Sequence, residues 1–128
     1  MSDQLYREEI LDHYQHPRNC QKPKNYSRFY SLNNSNCGDK ITVYLQIKEN
    51  QVKQINYQIS GCVISVASAS ILSQKLRNKT SSQILKLSSL DVLKLLKMQL
   101  TPTRVKCALL PLEAIKRSLL EKITEIAI

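Results

Sequence analysis

Four cysteines stand at positions 20, 37, 62 and 107 of the 128-residue chain, and no two share a Cys-x-x-Cys spacing. That sets aside the usual zinc-ribbon, zinc-finger and thioredoxin arrangements. Two of the cysteines carry informative neighbours. Cys37 is followed by Gly38 and Asp39, and Cys62 is preceded by Gly61; these are the only glycines in the chain. Glycine serves where the backbone needs a positive φ or a close approach. Asp39 adds a hard oxygen donor, with a turn cap as its plainer role. Arg104 and Lys106 flank Cys107, and such cations favour a thiolate. Three thiols and a carboxylate suit zinc, or iron in a cluster. Cys20 lies in a polar stretch without such neighbours and reads as a bystander. His13 and His16 are far from the cysteines in sequence and read as solvated or capping residues.

The elements must bring Cys37 and Cys62 together. Ile41, Val43, Leu45 and Ile47 alternate with polar residues, as do Ile55, Tyr57 and Ile59, and Glu49-Asn50-Gln51 lies between. This predicts a β-hairpin with one buried face. With the turn near residue 50, paired residue numbers sum to about 100. Lys40 then faces Ser60, and Gly38 faces Cys62. Opposed Cβ atoms lie about 5 Å apart, and sulfurs sharing a metal about 3.5–4 Å apart, a gap that rotamers close. Cys62 also stands where a helix begins, so the helix dipole and free amides would lower its pKa. Nothing in the spacing alone brings Cys107 to this end.

The remaining chain is read more coarsely. Residues 3–16 predict a helix capped by Asp3, with Leu5, Tyr6, Ile10, Leu11 and Tyr14 on one broad face and Pro17 as its stop. Residues 17–36 read as loop with a short strand near Ser27–Ser31. Cys62 to Arg77 predicts a helix whose Ser/Ala run permits close packing. Thr80-Ser81-Ser82-Gln83 is a capping box opening a short helix, and another fits Leu90 to Met98. From Val105 onward the chain reads as helical, with Pro111 in a first turn and a stripe of Leu112, Ile115, Leu119, Ile123 and Ile126. The order predicts one α+β domain over residues 1–128, a small antiparallel sheet of about three strands with helices on one face.

Nineteen Lys and Arg against ten acids give a net charge of +9. That balance invites nucleic acid, an anionic membrane or an acidic partner. The lysines are scattered, and no basic cluster interleaves with aromatics, which argues against a nucleic-acid module. The acidic N-terminus lacks a signal-type apolar segment, and no run suffices to cross a membrane. The expectation is a cytoplasmic protein with reduced thiols.

These motifs resemble the U-type iron–sulfur cluster assembly scaffolds, the IscU, SufU and NifU N-terminal domain family. The resemblance starts at Leu5-Tyr6-Arg7-Glu8-Glu9-Ile10-Leu11-Asp12-His13-Tyr14 and His16-Pro17-Arg18-Asn19. It continues through Asn36-Cys37-Gly38-Asp39-Lys40-Ile41 and Gly61-Cys62-Val63-Ile64-Ser65. It ends at Arg104-Val105-Lys106-Cys107-Ala108. It implies a SufE/NifU-like fold with the three cysteines gathered at one exposed end. It implies a transient [2Fe–2S] cluster on Cys37, Cys62 and Cys107, with Asp39 as the fourth ligand or neighbour. The same four residues look like the zinc-holding set of SufU-type members. It further implies a cysteine desulfurase that passes sulfur to Cys107, Cys62 or Cys37, and recipient apo-proteins. The protein would then be a scaffold rather than an enzyme, with zinc-dependent sulfur transfer as the alternative activity.

The chain departs from the family pattern in places. Lys106 stands where IscU-type members carry histidine, which leaves no imidazole ligand there. Leu100-Thr101-Pro102-Thr103-Arg104 replaces the Leu-Pro-Pro-Val-Lys sequence of those members, which argues against docking of a dedicated Hsp70. Both features are SufU-like. The 45-residue step from Cys62 to Cys107 instead has IscU-like length, without room for the insertion usual in SufU-type members.

Overall fold

The alternating run on either side of residue 50 forms the two long strands of a three-stranded sheet. The structure, a computed structural model, describes residues 2–34, 38–97 and 100–120, with side chains from residue 7 onward. In chain order the elements are α1 (Ser2–Gln15), β1 (Arg28–Asn34), β2 (Asp39–Lys48), β3 (Gln51–Ser60), α2 (Val63–Lys75), α3 (Ser81–Leu85), α4 (Ser89–Leu96) and α5 (Pro102–Leu120). The sheet is antiparallel in the order β1-β2-β3. This is the α+β arrangement that the sequence predicts.

Glu49 and Asn50 both adopt left-handed backbone, with φ of 54° and 65°. A tight two-residue hairpin turn requires that pair of conformations. Gln51 already pairs with Lys48, so the turn is one residue shorter than the sequence suggested. From Lys40–Ser60 to Gln46–Gln54 the paired numbers sum to 100; the register shifts between Gln46 and Ile47. Ile41, Val43, Leu45, Ile55 and Tyr57 are buried on the helix side of the sheet. On the other side Tyr44 is covered by Tyr26, ring centroids 5.0 Å apart.

Helix α2 is the central element, enclosed along most of its length. Its small residues let α1 and α5 approach closely, and its serines make specific bonds. Ser68 Oγ donates to the Ala108 carbonyl of α5 at 2.7 Å. Ser70 Oγ accepts from the Arg18 amide at 2.9 Å and shares a 2.7 Å hydrogen bond with His13 Nδ1. Asn19 Nδ2 donates to Ser73 Oγ at 3.0 Å, and the Asn19 carbonyl accepts from the Tyr57 amide at 3.2 Å. The His13–Asn19 segment thus bolts α1 to both α2 and β3.

Four sequence expectations are corrected. His13 is 7% exposed and buried against α2, not solvated. Of the predicted α1 face, among the described side chains only Ile10 is buried; Leu11 and Tyr14 are exposed. The buried stripe passes through Ile10 and His13, because Ser70 satisfies a polar residue where an apolar one was sought. Pro111 is well inside α5 rather than in a first turn. The helix starts at Pro102, so Pro111 instead withholds an amide from the Cys107 carbonyl four residues earlier. Strand β1 runs on to Asn34 because Asn33 and Asn34 pair with Lys40 and Asp39, which overrides their weak strand propensity. The Thr80–Gln83 capping box is present, and Ser88 with Asp91 forms a second one. Leu5, Tyr6, Met98, Ile123 and Ile126 lie outside the described side chains.

Burial, together with the nearby Arg18 charge, holds the His13 imidazole below its ordinary 6.5. The unfolded chain therefore takes up a proton before the folded one does. Stability from neutral His13 is complete above pH 6.5 and is lost as pH falls through the lowered value. Thermal melts between pH 7 and 5 should show a steeper loss for the natural protein than for His13→Gln. Parallel losses would contradict this.

Candidate metal centre

Strand alternation decides which face Asp39 joins. It lies two residues before Ile41, so it points to the helix side and is 4% exposed. The register that places Lys40 opposite Ser60 carries Gly61 to the same end. A Cβ built on Gly61 would lie 2.9 Å from Asp39 Cγ and 2.3 Å from Ser65 Oγ. Close approach therefore explains this glycine. Gly38 answers to the other cause, with φ of 76°. Its amide donates to the Asn34 carbonyl at 2.9 Å across the β1–β2 connection, the stretch of chain that contains Cys37. Cys37 itself lies outside the described residues.

Cys62 is the N-cap of α2 and is partly exposed. Cys107 sits near the start of α5 and is 2% exposed. The Ser68–Ala108 bond ties α5 to α2 one residue beyond it. A carboxylate oxygen of Asp39 and the sulfurs of Cys62 and Cys107 all lie within 4.8 Å of one another. The tertiary fold thus supplies what spacing could not, the arrival of Cys107 at the hairpin end. The expected exposure holds for Cys62, whereas Asp39 and Cys107 are sunk beneath the surface. Arg104 and Lys106 are exposed beside the buried thiol. Lys106 lines an open groove of about 470 Å³ between β1 and α5. Cys20 is exposed and is not a member of this cluster.

Asp39 Oδ2 is buried with no hydrogen-bond partner among the described residues. An unpaired buried carboxylate oxygen is costly, and a cation is the natural remedy. Two thiols and this oxygen form a donor set suited to zinc or to iron. Burial works against the Cys62 thiolate. Contacts with the Ser65 amide and hydroxyl, the Cys107 thiol and the Ile64 amide outweigh it, holding the group below the ordinary 9.0. Desolvation moves Cys20 the other way. Ser65 was missed as a site residue in the sequence; its signal was a hydroxyl three residues after a helix-capping cysteine. It is fully buried and donates to the Cys62 carbonyl at 3.1 Å.

The sequence model of the NifU-like N-terminal domain matches residues 5–124. The chain belongs to the NifU-like N-terminal domain family. It is 28% identical over 117 residues to iron-sulfur cluster assembly scaffold protein IscU 1 of Archaeoglobus fulgidus, covering 91% of this chain and 76% of that protein. It is 31% identical over 132 aligned positions to the zinc-dependent sulfurtransferase SufU of Bacillus subtilis, covering 90% and 89%. Its fold matches the crystal structure of a SUF-system scaffold protein, SufU, from Fervidobacterium islandicum with a TM-score of 0.77 at 23% identity, covering 93% of this chain and 99% of that one. This NifU-like chain has no described helix long and apolar enough to cross a membrane.

Alkylation of the metal-free protein by iodoacetamide, mapped by peptide mass spectrometry across pH, should modify Cys62 at lower pH than Cys20. The reverse order would contradict the thiol electrostatics.

Proposed function

We propose that this chain is an iron–sulfur cluster assembly scaffold. It takes sulfur from a cysteine desulfurase, binds iron, builds a transient [2Fe–2S] cluster and passes it to apo-proteins. Cys37, Cys62 and Cys107 hold the cargo, with Asp39 as the fourth ligand or close neighbour. The observation that carries this reading is the buried Asp39 oxygen, without a partner among the described residues, set against two thiols. Membership of the NifU-like family and the named scaffold relative support it.

The chemistry follows from the residues. A thiolate attacks the outer sulfur of the desulfurase persulfide; a new S–S bond forms, the old one breaks, and the desulfurase thiolate leaves. Cys37, Cys62 and Cys107 are the candidate acceptors, and Cys62 is the more open of the two described. Three thiolates grip iron firmly, while a carboxylate is a harder, weaker partner for a sulfide-bridged cluster. A site with an incomplete sulfur set binds its cargo less firmly than four buried cysteines would, which suits release. The +9 charge suits an acidic partner surface. Free thiols of this kind fit a reducing cytoplasm.

The second reading is a zinc-dependent sulfurtransferase that accepts persulfide sulfur and activates the desulfurase. The exposed Lys106 and the similarity to the Bacillus subtilis protein favour it. Cys37, Asp39, Cys62 and Cys107 would hold the zinc, which would fix the resting thiolates in place.

Anaerobic reconstitution with iron, cysteine and a desulfurase should give thiolate-to-iron absorption bands that Cys37→Ala abolishes. A natural protein that takes up no iron, yet is purified with one tight zinc and stimulates desulfurase turnover, would replace the first reading with the second.

A further inference from the structure

We infer that Gly61 is a positioning residue for the metal centre: its missing side chain forms the seat that holds the Asp39 carboxylate against the thiols. This inference rests on the metal-site reading above. Among the described residues no hydrogen bond holds Asp39 Oδ2 in place. Gly61 is one wall around the side chain, and it has no spare room. A Cβ there would meet Asp39 Cγ at 2.9 Å and Asp39 Oδ1 at 3.1 Å. Separations below 3.0 Å between such atoms force a shift. On the other flank the same Cβ would meet Ser65 Oγ at 2.3 Å, and Ser65 is fully buried and bonded to the Cys62 carbonyl. The added atom would thus be pressed between a ligand carboxylate and the first turn of α2. Backbone strain plays no part, since Gly61 is not among the residues of positive φ, whereas Gly38 is. Gly61 therefore acts through Asp39, and removing Asp39 should remove its influence.

Cobalt(II) is the probe, because thiolate-bound cobalt absorbs in the visible and its affinity can be titrated. Gly61→Ala should weaken cobalt binding about tenfold or more, as loss of a supporting contact typically does. Asp39→Ala should weaken it similarly. On the Asp39→Ala background, Gly61→Ala should change affinity by less than about twofold. Because the Ser65 overlap is severe enough to threaten folding, the cycle is repeated on a Ser65→Ala background, where only the Asp39 overlap remains. Circular dichroism melts verify that each variant is folded. Natural-strength binding by folded Gly61→Ala, or an equal loss with and without Asp39, would overturn the inference. Failure of the natural protein to bind cobalt would overturn the metal reading itself, and this inference with it.

Discussion

A two-residue turn at Glu49-Asn50 sets Lys40 opposite Ser60, and that pairing governs what meets at the far end of the hairpin. It aligns Asp39 with Gly61, so a carboxylate lies beside a backbone that has no Cβ to obstruct it. The next residue, Cys62, begins α2. The small side chains of α2 then admit α5 closely enough for Ser68 to bond the Ala108 carbonyl, which brings Cys107 beside the other donors. A slip of one residue in the hairpin would turn Asp39 to the opposite face and dissolve the cluster.

Much of this was legible in the sequence because it obeys a short period. Alternation from Ile41 to Ile59 yields the hairpin and its register. The two glycines marked the site before any distance was known, and each proves to obey a different rule: positive φ at Gly38, close approach at Gly61. What was not legible depended on contacts between distant residues. Asn33 and Asn34 become strand only because β2 is there to pair with them. His13 becomes a buried residue only because Ser70 is placed to meet it. Pro111 lies inside α5 because the helix already opens at Pro102. The approach of Cys107 belongs to helix packing, which no spacing rule reaches.

The site combines two opposed demands. Its Cys62 thiol is activated at an N-cap, and Cys107 is gathered beside it for a soft metal, which favours capture. Its oxygen donor is buried without a hydrogen-bond partner among the described residues, which favours a cation there, but it is a weak partner for a sulfide-bridged cluster. A structure that captures readily and holds incompletely suits transient cargo better than permanent storage. The positive surface, at first the most conspicuous feature of the composition, is secondary to this chemistry.

The central claim is that Cys37, Cys62, Cys107 and Asp39 share one metal centre. X-ray absorption fine structure of the zinc-loaded protein tests it directly by counting neighbours. The account predicts three sulfurs at about 2.3 Å and one oxygen at about 2.0–2.2 Å, with one sulfur lost in Cys37→Ala. A shell of nitrogen and oxygen alone, or a sulfur count unchanged by Cys37→Ala, would contradict it.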